Sequence, residues 1–199
     1  LVLLIYYIKN IFKFITDISY SCLMIMDEDI LYNPYNENNR EISDNVIKSI
    51  LSNYNVNYKI NNIQLFRRAF IHKSYTFPVL NENVRLAKCP PNCIELKSSS
   101  NERLEFLGDG VLEMVTKSYL YKRFPDAEEG FMTEKKIALV KNDHIGKLAY
   151  NMGLHKWLIM SKNAEEKKIR TNYKKLGCLF EAFLGALYLD SNEIKCNVH

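Results

Sequence analysis

Glycine and proline are scarce, at 7 and 5 of 199 residues. A β-rich protein with many tight turns leans on both, so the chain reads as mostly helical. Cysteine offers no framework: five residues, an odd number without regular spacing, do not make the disulfide pattern of a secreted domain. Cys89 and Cys93 flank Pro90, Pro91 and Asn92, but no second close pair of Cys or His stands nearby to complete a zinc site. A reducing, intracellular compartment, the cytoplasm or one like it, is the expectation. Long apolar runs are missing too. Residues Leu1 to Ile25 are apolar but interrupted by Lys9, Asn10, Lys13 and Asp17, which falls short of the roughly 20 apolar residues a membrane span needs. They also lack the basic lead of a signal peptide, and no membrane partner is expected. Met26, opening Asp27-Glu28-Asp29, reads as a start. That ranks the preceding segment as non-native or accessory first, an amphipathic helix second and a membrane anchor last.

What is present is enough for one well-filled core, at 47% hydrophobic and 25% charged. The formal charge of +4 is mildly basic, which permits a nucleic-acid partner without demanding one. The organising stretch is Asn101-Glu102-Arg103-Leu104-Glu105-Phe106-Leu107-Gly108-Asp109. Glu102, Glu105 and Asp109 fall within about 60° of one another on a helix. Leu104, Leu107, Val111, Met114 and Val115 fall on the opposite side and are expected to be buried. No Lys or Arg joins the acidic side between Glu102 and Glu113. Ordinary solvated helix faces mix signs, because like charges one turn apart repel. Clustered carboxylates next to an apolar face are expensive without a cation, and hard oxygen donors suit Mg²⁺ or Mn²⁺.

In chain order, residues 27–44 read as an irregular lead-in. Val46, Ile47, Ile50 and Leu51 recur at helical spacing, and the Asn-Tyr run from Asn53 stops that helix. Asn61 or Asn62 can cap the next helix, with Arg67 and Arg68 outward as a small basic patch. Thr76 to Ser100 holds three prolines and no clear period, and reads as an insertion between helices. The acidic helix runs from Glu102 to Arg123 and stops at Phe124-Pro125. Met132 to Lys141 makes another, with Ile137, Leu139 and Val140 buried and Lys135, Lys136 and Lys141 open to a polyanion. Asp143 can cap a short helix that ends at Gly153. Ala164 to Asn172 reads as a mobile basic loop carrying Lys167, Lys168 and Arg170. The last helix, Lys174 to Leu189, is apolar on nearly every side and is the expected core helix. Glu181 in its middle needs a partner, and the nearest unbalanced charge is the Glu102 to Asp109 face. Gly177 and Gly185 would let another helix come close.

At these residues the chain resembles the ribonuclease III family of double-stranded-RNA endonucleases. Asn101 to Asp109 matches that family's hallmark nonapeptide. His72 and Ser74, Glu129-Gly130, Leu139-Val140 with Asn142, and Phe180-Glu181-Ala182 leading to Gly185-Ala186-Leu187 follow in the family's order. The resemblance implies an all-α, dimer-forming endonuclease domain over residues 46–190, with an insertion at about 76–100. An accessory or non-native extension at 1–45 and a short tail at 191–199 would flank it; many relatives carry a separate double-stranded-RNA-binding domain after these helices, and with none in the tail the chain reads as either a fragment or a compact, stand-alone form. It implies a homodimer whose basic valley takes duplex RNA and, with Mg²⁺ or alternatively Mn²⁺, hydrolyses one phosphodiester per strand to 5′-phosphate and 3′-hydroxyl ends. Position by position it makes Glu105, Asp109 and Glu181 metal ligands and Glu102 a further catalytic acid. Glu129, Asn101, Lys135, Lys136 and Lys141 would line the valley near RNA. Phe106 would insert into the partner subunit, although its period alone makes it a core residue.

Cys178 departs from the pattern. The family has an Asp there, three residues before the Glu, as a fourth metal carboxylate. A thiol is soft, titrates near 8.5 when unperturbed and is a poor Mg²⁺ ligand. The alternative that follows is a weakened or inactive family member serving as an RNA-binding or structural scaffold. The other retained acids favour the enzyme.

Overall fold

The computed structural model describes residues 30–192. The expectations for residues 1–25 and for the tail beyond residue 192 lie outside them. The chain divides into two units. The described part of the first comprises residues 30–33 and 79–87 and is a two-stranded parallel pair. Its strands are β1 (Ile30–Tyr32) and β2 (Val84–Leu86), in the register Ile30↔Val84, Leu31↔Arg85 and Tyr32↔Leu86. β2 lies inside the segment read as a structureless insertion. Three residues are too few to print a period-2 pattern on a sequence, which is why the strand went unread.

The second unit is helical. It holds α1 (Asp44–Ser52), α2 (Ile63–Ala69), α3 (Glu102–Arg123), α4 (Glu129–Val140), α5 (Asn142–Asn151), α6 (Lys162–Glu166) and α7 (Tyr173–Asn192), joined in part by single 3₁₀ turns. Local chemistry sets several of the boundaries. The Asn62 side chain caps α2 by accepting from Gln64 N. Asp190, fully buried at the far end of α7, accepts from the backbone N–H of Asn62 at 2.6 Å and from the Tyr58 hydroxyl at 2.8 Å. The end of the core helix thereby fixes the entry to α2. After α5, Gly153 takes a left-handed φ of 76°, a conformation glycine adopts without a Cβ clash.

α7 is the core helix. Leu176, Leu179, Ala182, Phe183 and Ala186 are all buried, and Phe183 meets Phe66 and Phe70 of the α2 region at ring-centroid distances of 5.8 and 6.1 Å. The most extensive helix pairing is α3 with α7. It is a backbone contact made by glycine: a Cβ on Gly108 would lie 1.7 Å from the Glu181 carbonyl oxygen, and one on Gly185 would lie 2.3 Å from that of Leu104.

That contact corrects the face assigned to α3. The buried residues are Leu104, Gly108 and Leu120, at multiples of four, whereas Met114 and Val115 are exposed. Helical periodicity marks the larger apolar residues, but glycine lets the backbone itself be the contact, so the buried stripe is rotated toward Gly108. α4 starts at Glu129, not at Met132, and has no buried residue; Ile137 and Leu139 are exposed and Val140 only half-buried. Ala164 to Asn172 is not a free loop. It contains the end of α6 and a 3₁₀ turn, and Arg170 donates to Glu165 and to the carbonyls of His155 and Leu158. Arg67 and Arg68 are likewise half-buried ties, to Glu41 and to the Ser100 carbonyl.

Candidate metal centre

Asn101 sets the start of α3. Its backbone N–H donates to the Ile71 carbonyl at 2.8 Å and its side-chain amide to the Ala69 carbonyl at 3.1 Å. At 6% exposed, with its amide bonded to the backbone, it is a structural tie. With α3 anchored there and pressed against α7 through Gly108, Glu105 is brought to the face of α7 that carries Cys178 and Glu181. Those two are three residues apart and share one side of that helix.

Ligand atoms of Glu105, Cys178 and Glu181 all lie within 4.8 Å of one another. Among the described residues this is the one group of three such side chains close enough to hold a cation together. Glu181 is 7% exposed and has no hydrogen-bond or ion-pair partner among the described residues. Its carboxyl is pushed up to about 7, by burial first and then by the charges of Asp109 and Glu105. The Cys178 thiol is pushed up to about 12, by burial, then by its hydrogen bond to Glu105 and the nearby carboxylates. Both shifts describe a place crowded with negative charge, and a divalent ion would reverse both. The donors fit such an ion: two carboxylates and a thiol converge, one carboxylate is buried and otherwise unmatched, and Asp109 adds charge from the next turn.

The other predicted residues are dispersed around this cluster. Asp109 is exposed and close enough to act on Glu181, but it stands outside the three-donor group. Glu102 is exposed and pairs with Lys73 at 3.3 Å. The acidic face therefore does have a cation, supplied by the 3₁₀ turn Lys73–Tyr75 after α2 and not by α3 itself. Glu129 begins α4, accepts from the Thr133 hydroxyl at 2.6 Å and helps line a mainly apolar hollow of about 410 Å³ with Leu120, Tyr121 and Met132. Lys136 is committed to Glu113 at 2.8 Å, Lys135 lies over the Phe131 ring, and Lys141 is exposed at the break between α4 and α5. Phe106 is 85% exposed. It falls beside the acidic stripe of α3, away from α7, so it is no core residue.

Sequence reasoning missed Lys175. It lies one turn before Cys178 on α7, and its charge acts on both Cys178 and His72. The three-residue spacing was the signal that could have found it. His72, held by Ser74 at 2.9 Å, is kept below the ordinary histidine range by burial and then by Lys175 and Lys73.

Residues 102–192 match the family model described as the ribonuclease III domain. Ribonuclease 3 of Enterococcus faecalis is 41% identical over 128 residues, covering 64% of this chain and 50% of that protein. The nuclease domain of ribonuclease III from Campylobacter jejuni aligns with a TM-score of 0.59 at 28% identity, over 75% of this chain and 84% of that one. Another structure of that domain, with a TM-score of 0.58 at 28% identity over 73% of this chain and 86% of that one, is described for structural flexibility in a region involved in dimer formation. The chain spans about half the length, or less, of the curated relatives it matches. No helix among the described residues is long and apolar enough to cross a membrane.

Proposed function

This chain carries a catalytic domain of the ribonuclease III family, and on that premise we propose that it is an endoribonuclease that hydrolyses phosphodiesters of double-stranded RNA with the help of a divalent cation. The observation that carries the reading is the convergence of Glu105 and Glu181 with Cys178 within 4.8 Å, with Glu181 buried and unmatched. Glu105 and Glu181 would hold the ion, Mg²⁺ or Mn²⁺, through oxygen, with Asp109 beside them and the Cys178 sulfur a poor donor to Mg²⁺. When bound, the ion supplies charge stabilisation for the departing oxygen and an acidified water for attack, which leaves 5′-phosphate and 3′-hydroxyl ends.

The protein's own groups do the rest. α7 sets Glu181 in a mostly buried position, where its charge is costly unless a cation answers it. Glu105 holds the second side of the site from α3, and the Gly108 contact keeps the two helices in fixed register. Glu102 and its Lys73 partner stand one turn away, where the backbone of a duplex would pass. Lys141 and Lys175 are exposed cations suited to phosphate contact. Duplex RNA is read mainly through shape, 2′-hydroxyls and phosphates, so a modest basic surface with little apparatus for base edges is sufficient.

Self-association belongs to the same reading. Phe106, Met114, Val115 and Tyr119 are large apolar or aromatic side chains left exposed along α3. A chain that sets this much apolar surface in water has a surface suited to a second copy. The alternative of an inert scaffold draws no support from the relatives.

Incubation of the purified chain with long duplex RNA in Mg²⁺ or Mn²⁺ tests the proposal. Cleavage to 5′-phosphate ends, lost on chelation and in Glu181→Gln, is expected. Equal cutting of single-stranded RNA, or activity that survives both treatments, would sink it.

A further inference from the structure

The centre departs from all-oxygen chemistry at one atom, the Cys178 sulfur. We propose that Cys178 makes this site select thiophilic divalent cations, of the Co²⁺, Zn²⁺ and Cd²⁺ kind, over Mg²⁺. The inference rests on the metal-dependent reading above and concerns which ion the site takes.

Three placements support it. The sulfur and the two carboxylates lie within 4.8 Å of one another. Two metal–donor bonds of about 2.0–2.3 Å reach about 4–4.6 Å end to end, so one ion can touch sulfur and oxygen together after shifts of a few tenths of an ångström. The backbone that carries Glu105 is held close to the thiol. α3 is pinned to α7 where Gly108 meets the Glu181 carbonyl, and Cys178 and Glu181 ride one turn apart on the same helix. Finally, Glu181 is buried with no protein partner, so an ion drawn to it is drawn into reach of the sulfur.

Mg²⁺ holds its water tightly and prefers oxygen, while thiolate is soft and favours later transition metals and Cd²⁺. Binding exchanges the S–H proton for the ion: Cys–SH and M²⁺ become Cys–S⁻–M²⁺, and H⁺ passes to solvent. No electron changes hands. An Asp at this position would give the site another oxygen and no sulfur, so residue 178 is the point at which ion preference is set.

The test is titration of the full chain with Co²⁺ and with Cd²⁺, recording thiolate-to-metal charge-transfer absorption, with Mg²⁺ as competitor. It uses wild type, Cys178→Ser, Cys178→Asp and the double variant Cys89→Ser/Cys93→Ser. A band saturating at one ion per chain is expected in wild type and in the double variant, unmoved by a large excess of Mg²⁺. It should be absent from Cys178→Ser and Cys178→Asp, and by calorimetry Cys178→Asp should bind Mg²⁺ at least about 10-fold more tightly than wild type. A wild type without the band, a band surviving Cys178→Ser, or displacement by equimolar Mg²⁺ overturns the proposal. Should Cys178→Ser fail to fold by circular dichroism, the Cys178→Asp spectrum and the Mg²⁺ competition decide. RNA cleavage is scored separately. Cutting without a Cys178 band overturns this inference and leaves the ribonuclease reading intact, whereas a band with no cutting in any divalent cation does the reverse.

Discussion

Gly108 and Gly110 stand two residues apart on α3, and alanine at each should have opposite effects. At Gly108 a new Cβ would meet the Glu181 carbonyl oxygen at 1.7 Å, its carbon at 2.5 Å and the Gly185 nitrogen at 2.9 Å. All three obstacles are backbone, so no side chain can swing aside. Restoring ordinary contact, at about 3.5 Å, requires the helices to part by roughly 1.5–2 Å, and a gap of even half that forfeits a large share of the dispersion contacts along it. Overpacking costs about 1–3 kcal/mol where a core can relax, and this site belongs at the upper end. Alanine returns about 1 kcal/mol of helix propensity, leaving a net loss of about 2 kcal/mol. At Gly110 a Cβ meets nothing within 4 Å, so only the propensity gain of about 1 kcal/mol remains. The two variants should differ by about 3 kcal/mol, or about 6–12 °C in Tm for a chain of this length. Thermal and urea unfolding at one fixed protein concentration would measure it, which holds constant any contribution from the proposed self-association. Gly108→Ala should also weaken cation binding, because the displaced backbone is that of Glu181. If Gly108→Ala proves as stable as Gly110→Ala, the close α3–α7 contact is not what places the site.

Asn101→Ala leaves the buried Ala69 carbonyl without its donor and should cost about 1–3 kcal/mol, read as a lower urea midpoint at unchanged slope; no shift in the midpoint would remove Asn101 from the structural account. Glu181 has a folded pKa raised to about 7 from 4.5, so its contribution to stability is fully present below about pH 4.5 and is lost as pH rises through 7, a change of about 3 kcal/mol in metal-free protein. Divalent cation should cancel that contribution; because His72 and His155, held below the usual histidine range, add stability as pH rises over the same window, the measure is wild type minus Glu181→Gln, and a metal-free difference that does not fall from pH 5 to 8 would contradict it. Phe106→Ala removes an exposed ring from each copy of a symmetric pair and should weaken self-association at least about 100-fold in sedimentation while leaving the monomer's near-ultraviolet circular dichroism in place. Unchanged association would take Phe106 out of the interface.

Much of the helical frame was legible in the chain. The Glu102–Arg123 helix, its stop before Pro125, the Asn62 cap, the αL Gly153 and the apolar α7 all follow from residue chemistry that acts within a turn or two, where local preference decides. The acid in the middle of α7 stood out for the same reason. Errors gathered where a distant partner decides burial. α4 looks like a core helix by composition yet has no buried residue, and Met114 and Val115 are apolar yet exposed, because none of the described segments covers them. The Ala164–Asn172 stretch reads as a mobile basic loop from its composition, whereas Arg170 bonds to carbonyls twelve and fifteen residues back.

The sequence by itself determined the two long helices, that three acids share one side of α3, and that a cysteine stands three places before Glu181. These are consequences of a 3.6-residue repeat and need no third dimension. Only the tertiary structure decided which acids meet. Glu105 joins Cys178 and Glu181, Asp109 stays at the rim, and Glu102 turns to Lys73. The reason is steric: a glycine at 108 and another at 185 let two backbones touch, and the rotation that this contact imposes on α3 selects Glu105 as the carboxylate that faces the core helix.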